Sequence, residues 1–305
     1  MPHIIQSLRT NPSMPTDYTL VLTAALGRLD HNAAHAASKA IGHGLHWLEP
    51  GTAAEAPVGQ DGLAARDAVR EALKDLAVDV NVLPGTGRRK QLLVADMDST
   101  IIGCECIDEI ADVAGLKPQV AAITERAMRG ELPFEEALKA RVALLKGLPE
   151  ATLETVFRER VRLNPGARTL VQTMAANGAY TALVSGGFTY FTSRVAEAAG
   201  FATHRANELG IAAGLLTGAV AEPILGRDAK RETLEGLAQF RGLSLSETIA
   251  VGDGANDLAM IERAGLSAAY RAKPVLKAAA QIHLDHSDLT ALLYVQGYRS
   301  GELVN

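Results

Sequence analysis

Short apolar runs alternate along most of the chain with longer stretches whose apolar positions recur at helical spacing. From residue 91 onward the runs are apolar on both faces: Gln91–Ala95 (QLLVA), Tyr180–Val184, Thr248–Val251, Leu266–Ala269 and Ile282–Leu284. Such runs suit strands covered on both sides of a parallel sheet. Between them, helical periodicity marks about 165–177, 189–199, 229–241, 256–263 and 288–296. Strand–helix alternation predicts the α/β class, as a doubly wound parallel sheet. Between the first and second of these strands, about 104–163, the signals are helical alone. That insert predicts a helical cap over the carboxyl edge of the sheet. Asn207–Val220, with short Gly-rich strands, reads as a hairpin excursion.

The first part of the chain has a different pattern. Tyr18–Ala24 (YTLVLTA) is a strand, His31–Ile41 an Ala-rich helix, and Leu45–Leu48 and Ala53–Val58 are short strands. Ala64–Leu76 is an amphipathic helix, and Val78–Leu83 alternates as a strand. The order β-α-β-β-α-β predicts a ferredoxin-like α+β sandwich. Pro84–Lys90 (PGTGRRK) has the turn and charge signals of a linker. The expected division is therefore 1–85 and 86–305, the second part carrying the cap at about 104–163.

Composition narrows the class. The 305 residues are 48% hydrophobic and 21% charged, which excludes a disordered chain. Cys 2 excludes a disulfide scaffold and a four-cysteine zinc site. A net charge of -5 and a pI near 5.9 argue against nucleic acid as a partner. No apolar run is long enough to span a bilayer, and MPHIIQSLRTNPSMP lacks the basic-then-apolar order of a secretion signal. The expectation is a cytoplasmic protein with reduced thiols.

In open α/β sheets, ligands bind where strands end. Strand ends here run into Asp96-Met97-Asp98-Ser99-Thr100, into Ser185-Gly186-Gly187, and into Gly252-Asp253-Gly254-Ala255-Asn256-Asp257. One such turn would be ordinary strand-to-helix chemistry; three on one edge crowd carboxylates into one place. Asp96, Asp253 and Asp257 there call for a compensating cation. Hard oxygen donors without His or Cys suit Mg²⁺. Ser185 with glycine amides makes an anion cradle, and Lys230 supplies a point charge for phosphate. Metal, cradle, lysine and a spare carboxylate together describe phosphoryl transfer.

These four ordered motifs resemble those of the haloacid dehalogenase superfamily of phosphatases. Ile101–Gly115 (IIGCECIDEIADVAG) and Arg126–Pro149 (RAMRGELPFEEALKARVALLKGLP) resemble its phosphoserine phosphatase family, over about 91–296. The resemblance implies that Asp96 is the nucleophile and that Asp98 is first general acid, then base. It implies Mg²⁺ held by Asp96, the backbone carbonyl of Asp98, and Asp253. Ser185, the Gly186 amide and Lys230 would bind the phosphoryl group, with Asn256 and Asp257 supporting the phosphate and metal sites. Glu105 would read the ammonium and Arg141 the carboxylate of O-phosphoserine, with Phe134 as an apolar lid surface. The implied reaction is hydrolysis to serine and phosphate through an aspartyl phosphate, the last step of serine synthesis.

Plainer readings exist for several of these residues. Arg141 lies in KARVALLK, a basic helix face where most arginines are merely solvated. Lys230 has the alternative of a solvated helix lysine. Cys104 and Cys106 are read as small buried or half-buried thiols, and His283 and His286 as structural or surface residues. Another small phosphomonoester, such as phosphoethanolamine or phosphorylcholine, is the competing substrate; Arg141 discriminates, since those substrates lack a carboxylate. Phosphotransfer to an alcohol is a further alternative. The amino-terminal part weakly resembles the ACT family of amino-acid-binding modules, with Ala25–Asp30 at the position of their binding turn. That implies a sensor, or a sandwich whose free sheet edge or face pairs two chains into a homodimer.

Overall fold

The structure, a computed structural model, describes residues 17–129 and 131–304. The stretch read for a targeting signal lies outside them. The amino-terminal unit follows β1 (Tyr18–Ala24), α1 (His31–Ile41), β2 (His46–Glu49), β3 (Ala53–Gly59), α2 (Gly62–Ala72) and β4 (Val78–Pro84). Its antiparallel sheet has the order β2-β3-β1-β4, the ferredoxin-like arrangement. Helix α1 starts where the Asp30 carboxylate accepts the Ala33 N–H at 2.8 Å, and it stops at Gly42, whose φ of 81° suits only glycine well. Ala33, Ala34 and Ala37 are its buried face, so its Ala-rich composition is a close-packing device against the sheet. Leu20, Leu22, Leu29, Val69, Leu73 and Val80 complete this core.

The α/β unit begins with β5 (Leu92–Ala95). The insert follows as α3 (Cys106–Val113), α4 (Lys117–Met128), α5 (Phe134–Leu144) and α6 (Ala151–Arg160), without a strand of its own among the described residues. Then come α7 (Ala167–Ala176), β6 (Tyr180–Phe188), α8 (Thr189–Ala199), β7 (Thr203–Asn207), the hairpin β8 (Leu209–Ala212) and β9 (Leu215–Val220), and α9 (Arg227–Phe240). The chain closes with β10 (Thr248–Gly252), α10 (Leu258–Ile261), β11 (Leu266–Tyr270), α11 (Pro274–Lys277), β12 (Ile282–Leu284) and α12 (Ala291–Val295). The parallel sheet has the order β12-β11-β10-β5-β6-β7. Strand β7 escapes the hydrophobic pattern because its THRAN sequence is polar at a sheet edge, and Asn207 ends this strand instead of opening the hairpin.

Both ends of the insert are pinned. The Asn164 amide donates to the carbonyls of Thr100 (2.7 Å) and Ile102 (3.1 Å). The hairpin braces the far end: the Gly147 N–H donates to Leu216 O at 2.8 Å, and the Leu216 N–H to Leu148 O at 2.9 Å.

Of the free edge or face expected on the amino-terminal sheet, the face is covered, and the edge at β2 stays open in the sheet order. Val21 and Leu83, on the face away from α1 and α2, share one core with Leu292, Leu293 and Tyr294 of the α/β unit. Asp79, 5% exposed, accepts backbone N–H bonds from Asp285, His286 and Ser287. The Asn81 side chain both donates to and accepts from the His283 backbone at 2.9 Å, replacing a strand ladder at the outer edge of β4. Arg88, inside the expected linker, pairs with Glu55 at 2.6 Å and donates to the carbonyls of Tyr294 and Val295.

Candidate active site

The central strands β10, β5 and β6 carry the reactive sequences on their carboxyl ends. Asp96 leaves β5 buried, its N–H bonded to Val251 O at 3.0 Å. The chain then doubles back through Ser99, whose φ of 57° is uncommon for a non-glycine residue. This turn sets Asp98 between two donors. Its Oδ1 accepts the Cys106 N–H and its Oδ2 the Ser185 hydroxyl, both at 3.0 Å. Ser185 Oγ in turn accepts the Gly187 N–H at 2.8 Å. A Cβ on Gly187 would come within 3.0 Å of Asp98 Oδ2 and Ser185 Oγ, so this loop needs glycine for close approach.

Lys230 enters from α9, 3% exposed, with Nζ 2.5 Å from Asp96 and 2.6 Å from Asp257. Asp257 is fully buried, and its other oxygen accepts the N–H groups of Asp253 and Gly254 at 3.1 Å. Carboxylate oxygens of Asp96, Asp253 and Asp257 lie within 4.8 Å of one another, a cluster that can hold a metal ion. Asp257 spends its oxygens on Lys230 and the loop amides, which leaves Asp96 and Asp253 as the outward donors.

Electrostatics follow from this crowding. Burial and then Asp257 push the Asp96 carboxyl well up, against the pull of Lys230. Burial would lower the Lys230 ammonium, but Asp257 and Asp96 more than offset it and hold the lysine charged. Burial raises Asp98 to about 6, with Glu105 adding to the rise and its hydrogen bonds opposing it. Asp253 also reaches about 6, through burial and the neighbouring Asp257.

The remaining residues expected from the sequence gather around this centre. Phe134, Ser185, Gly186, Lys230 and Asn256 line one small cavity. Phe134 lies directly on the glycine loop, since a Cβ on Gly186 would meet its ring at 3.0 Å. Glu105 sits at the open side and accepts the Ser99 hydroxyl at 2.6 Å. Arg141 comes from α5 in the insert. Among the described residues its one hydrogen bond is Nε to Ala137 O, at 3.2 Å, within its own helix. Burial lowers its pKa, while the charges of Asp108, Glu105 and Asp98 act to raise it. Lys273 was not anticipated: its N–H bonds Asp253 O at 2.8 Å, and its charge opposes the rise of both Glu105 and Asp253. Its place just past the end of β11 was the available signal. Cys104 is half-buried; Cys106 is buried and meets the centre through its backbone N–H on Asp98, while the His283 ring lies against the Lys277 and Ala280 carbonyls.

An open parallel sheet with acidic strand ends, a serine–glycine cradle and a buried lysine is the architecture of the haloacid dehalogenase-like hydrolases, and the model of that family matches residues 93–262. A phosphoserine phosphatase of a Polaromonas species is 48% identical over 208 residues, 67% of this chain and 88% of its own. The chain belongs to the phosphoserine phosphatase family. A substrate-bound phosphoserine phosphatase complex is similar in structure, with a TM-score of 0.63 and 41% identity over 68% of this chain and 98% of that one. A Salmonella enterica hydrolase of the same superfamily covers 91% of this chain and 98% of its own, with a TM-score of 0.81 and 29% identity. Its coverage extends the likeness beyond the catalytic unit.

Proposed function

We propose that this chain hydrolyses O-phosphoserine to serine and phosphate, as the last step of serine synthesis in the cytoplasm. The observation that carries the reading is the pair Asp96 and Asp98, set against the Ser185 and Lys230 cradle, beneath an insert whose Phe134 ring lies on Gly186. Asp96 attacks as the carboxylate, the form that its ion pair with Lys230 favours against the upward push of burial, and Lys230 keeps it oriented. Asp96 attacks phosphorus, the bond to the seryl oxygen breaks, and Asp98 gives its proton to that oxygen, since an alkoxide is a poor leaving group. Asp98 then takes a proton from water, which attacks the aspartyl phosphate and regenerates Asp96. A carboxyl poised at about 6 serves both steps near neutral pH. Ser185, the Gly186 amide and Lys230 bind the phosphoryl oxygens, with Asn256 and Asp257 in support.

The donor set is hard oxygen with more carboxylate than lysine, which fits a divalent cation such as Mg²⁺. Asp96, the Asp98 carbonyl and Asp253 would hold it, and when bound it neutralises the repulsion between nucleophile and phosphate dianion. Arg141 offers a fork to the substrate carboxylate, Glu105 a counter-charge to its ammonium, and Phe134 an apolar cover. The division at about residue 85, with the cap over about 104–163, belongs to the same reading and is supported by the separate four-stranded and six-stranded sheets. Pairing of two chains through the amino-terminal unit would use the outer edge of β2, because its other edge and far face meet the α/β unit.

Turnover of O-phosphoserine, phosphothreonine, phosphoethanolamine and phosphorylcholine by purified protein, with and without Mg²⁺, tests the assignment. Preference for O-phosphoserine that depends on Mg²⁺ supports it. Equal turnover of substrates lacking a carboxylate, or indifference to metal, defeats it.

A further inference from the structure

The phosphate cradle depends on a bent piece of strand. The ladder between β6 and β7 breaks between Val184 and Phe188 and resumes where Phe188 pairs with Asn207. Ser185, Gly186 and Gly187 lie in that break, which frees their backbone for a ligand but removes the bonds that would hold it. One side chain replaces them. Asn207 is 2% exposed, its Nδ2 donates to Gly186 O at 2.9 Å, and its Oδ1 accepts the Leu225 N–H at 2.7 Å.

Each bond reaches one wall of the cavity. In a trans peptide the carbonyl and the following N–H point in opposite directions. Holding Gly186 O therefore aims the Gly187 N–H, which donates to Ser185 Oγ, whose hydroxyl donates to Asp98. The Leu225 bond fixes the loop that leads into α9 and Lys230. A buried amide also suits this task because either bond, once lost, leaves a polar group unsatisfied in the interior.

We infer that Asn207 is a positioning residue of the phosphate site, one amide that sets the Ser185–Gly187 cradle and the Lys230 loop at a fixed separation. The inference rests on the phosphatase reading above, and nothing in it requires contact between Asn207 and substrate.

The test compares N207D and N207S with the parent, and with V69A as a destabilised control in the remote core of the amino-terminal unit. N207D keeps the acceptor for Leu225 but turns an oxygen toward Gly186 O. Measured are kcat and KM for O-phosphoserine, the inhibition constant of inorganic phosphate, and the thermal midpoint. Expected is at least a tenfold loss in kcat/KM and at least tenfold weaker phosphate inhibition in folded N207D, with V69A unchanged in both. Unchanged phosphate inhibition in folded Asn207 variants, whatever their midpoints, overturns the inference. Failure of both variants to fold also overturns it, by making Asn207 a folding residue. A parent inactive on phosphomonoesters defeats the phosphatase reading instead, before any variant is compared.

Discussion

Two buried acidic sites in this molecule have opposite designs. At the seam between the units, Asp79 is surrounded by backbone N–H groups of residues 285–287, and each oxygen is satisfied by a fixed donor. At the sheet edge, Asp96, Asp253 and Asp257 are packed against one another with Lys230 between two of them. The first arrangement spends its charge on structure. The second leaves carboxylate oxygens of Asp96 and Asp253 facing outward with their mutual repulsion only partly offset by Lys230, a condition that a bound cation would relieve. Burial by itself therefore does not mark a functional carboxylate; the company it keeps does.

The sharpest break in this comparison is Asp96→Asn. It should fold and bind phosphate but lose essentially all turnover, because an amide oxygen is a poor nucleophile. Beryllium fluoride should inhibit the parent by imitating the aspartyl phosphate. Substantial turnover in a variant shown by mass spectrometry to be free of deamidation would remove the covalent mechanism.

Next in size is Arg141→Ala. Leaving a substrate carboxylate unpaired in a closed site costs about 2 to 5 kcal/mol, or roughly 30- to several-thousand-fold in kcat/KM. Phosphoethanolamine hydrolysis should fall much less. Equal losses on both substrates would assign Arg141 to structure or to phosphate.

At the seam, Asp79→Ala should act on stability alone. Orphaning the N–H groups of 285–287 should cost about 2 to 4 kcal/mol in urea unfolding, with kcat and KM of the folded enzyme unchanged. A chain beginning at Arg88 should be less stable still, because it uncovers Leu292 and Leu293 beneath Val21 and Leu83. A catalytic defect in Asp79→Ala would mean that the seam reaches the active site.

The smallest effect is that of pH. Asp98 and Asp253 titrate near 6 in the folded chain, above the ordinary aspartate value of 3.8. The folded state thus holds these protons more tightly than the unfolded state. With metal chelated, stability should be lowest above about pH 6 and should recover as pH falls from there toward the unfolded value. Mg²⁺ affinity should move the other way, weakening below pH 6 by about tenfold per unit for each ligand that must deprotonate. Urea midpoints in chelator and metal titrations between pH 5 and 7.5 read both; affinity flat across that range would show that Asp253 is not a ligand.

Much of this was legible along the chain. Runs apolar on both faces located β5, β6, β10, β11 and β12, since a strand buried between helix layers has no polar side to show. Strand-end turns carried Asp96, Asp98, Ser185, Asp253 and Asp257, because topology places all such ends on one edge. The ferredoxin-like order of the amino-terminal unit was legible for a related reason, as short alternating strands flank two helices. These are local patterns, set by periodicity within a few residues of each position.

Tertiary structure decided the rest. Whether the far face of the amino-terminal sheet met solvent, a second chain or its own α/β unit depends on Asp79 and Asn81 finding the backbone of 283–287, more than two hundred residues away. Asn207 ends a polar edge strand with no motif around it, and it acquires a role only when register brings it beside Gly186 and Leu225. Such partners are chosen by packing in three dimensions, and no spacing along the sequence encodes them.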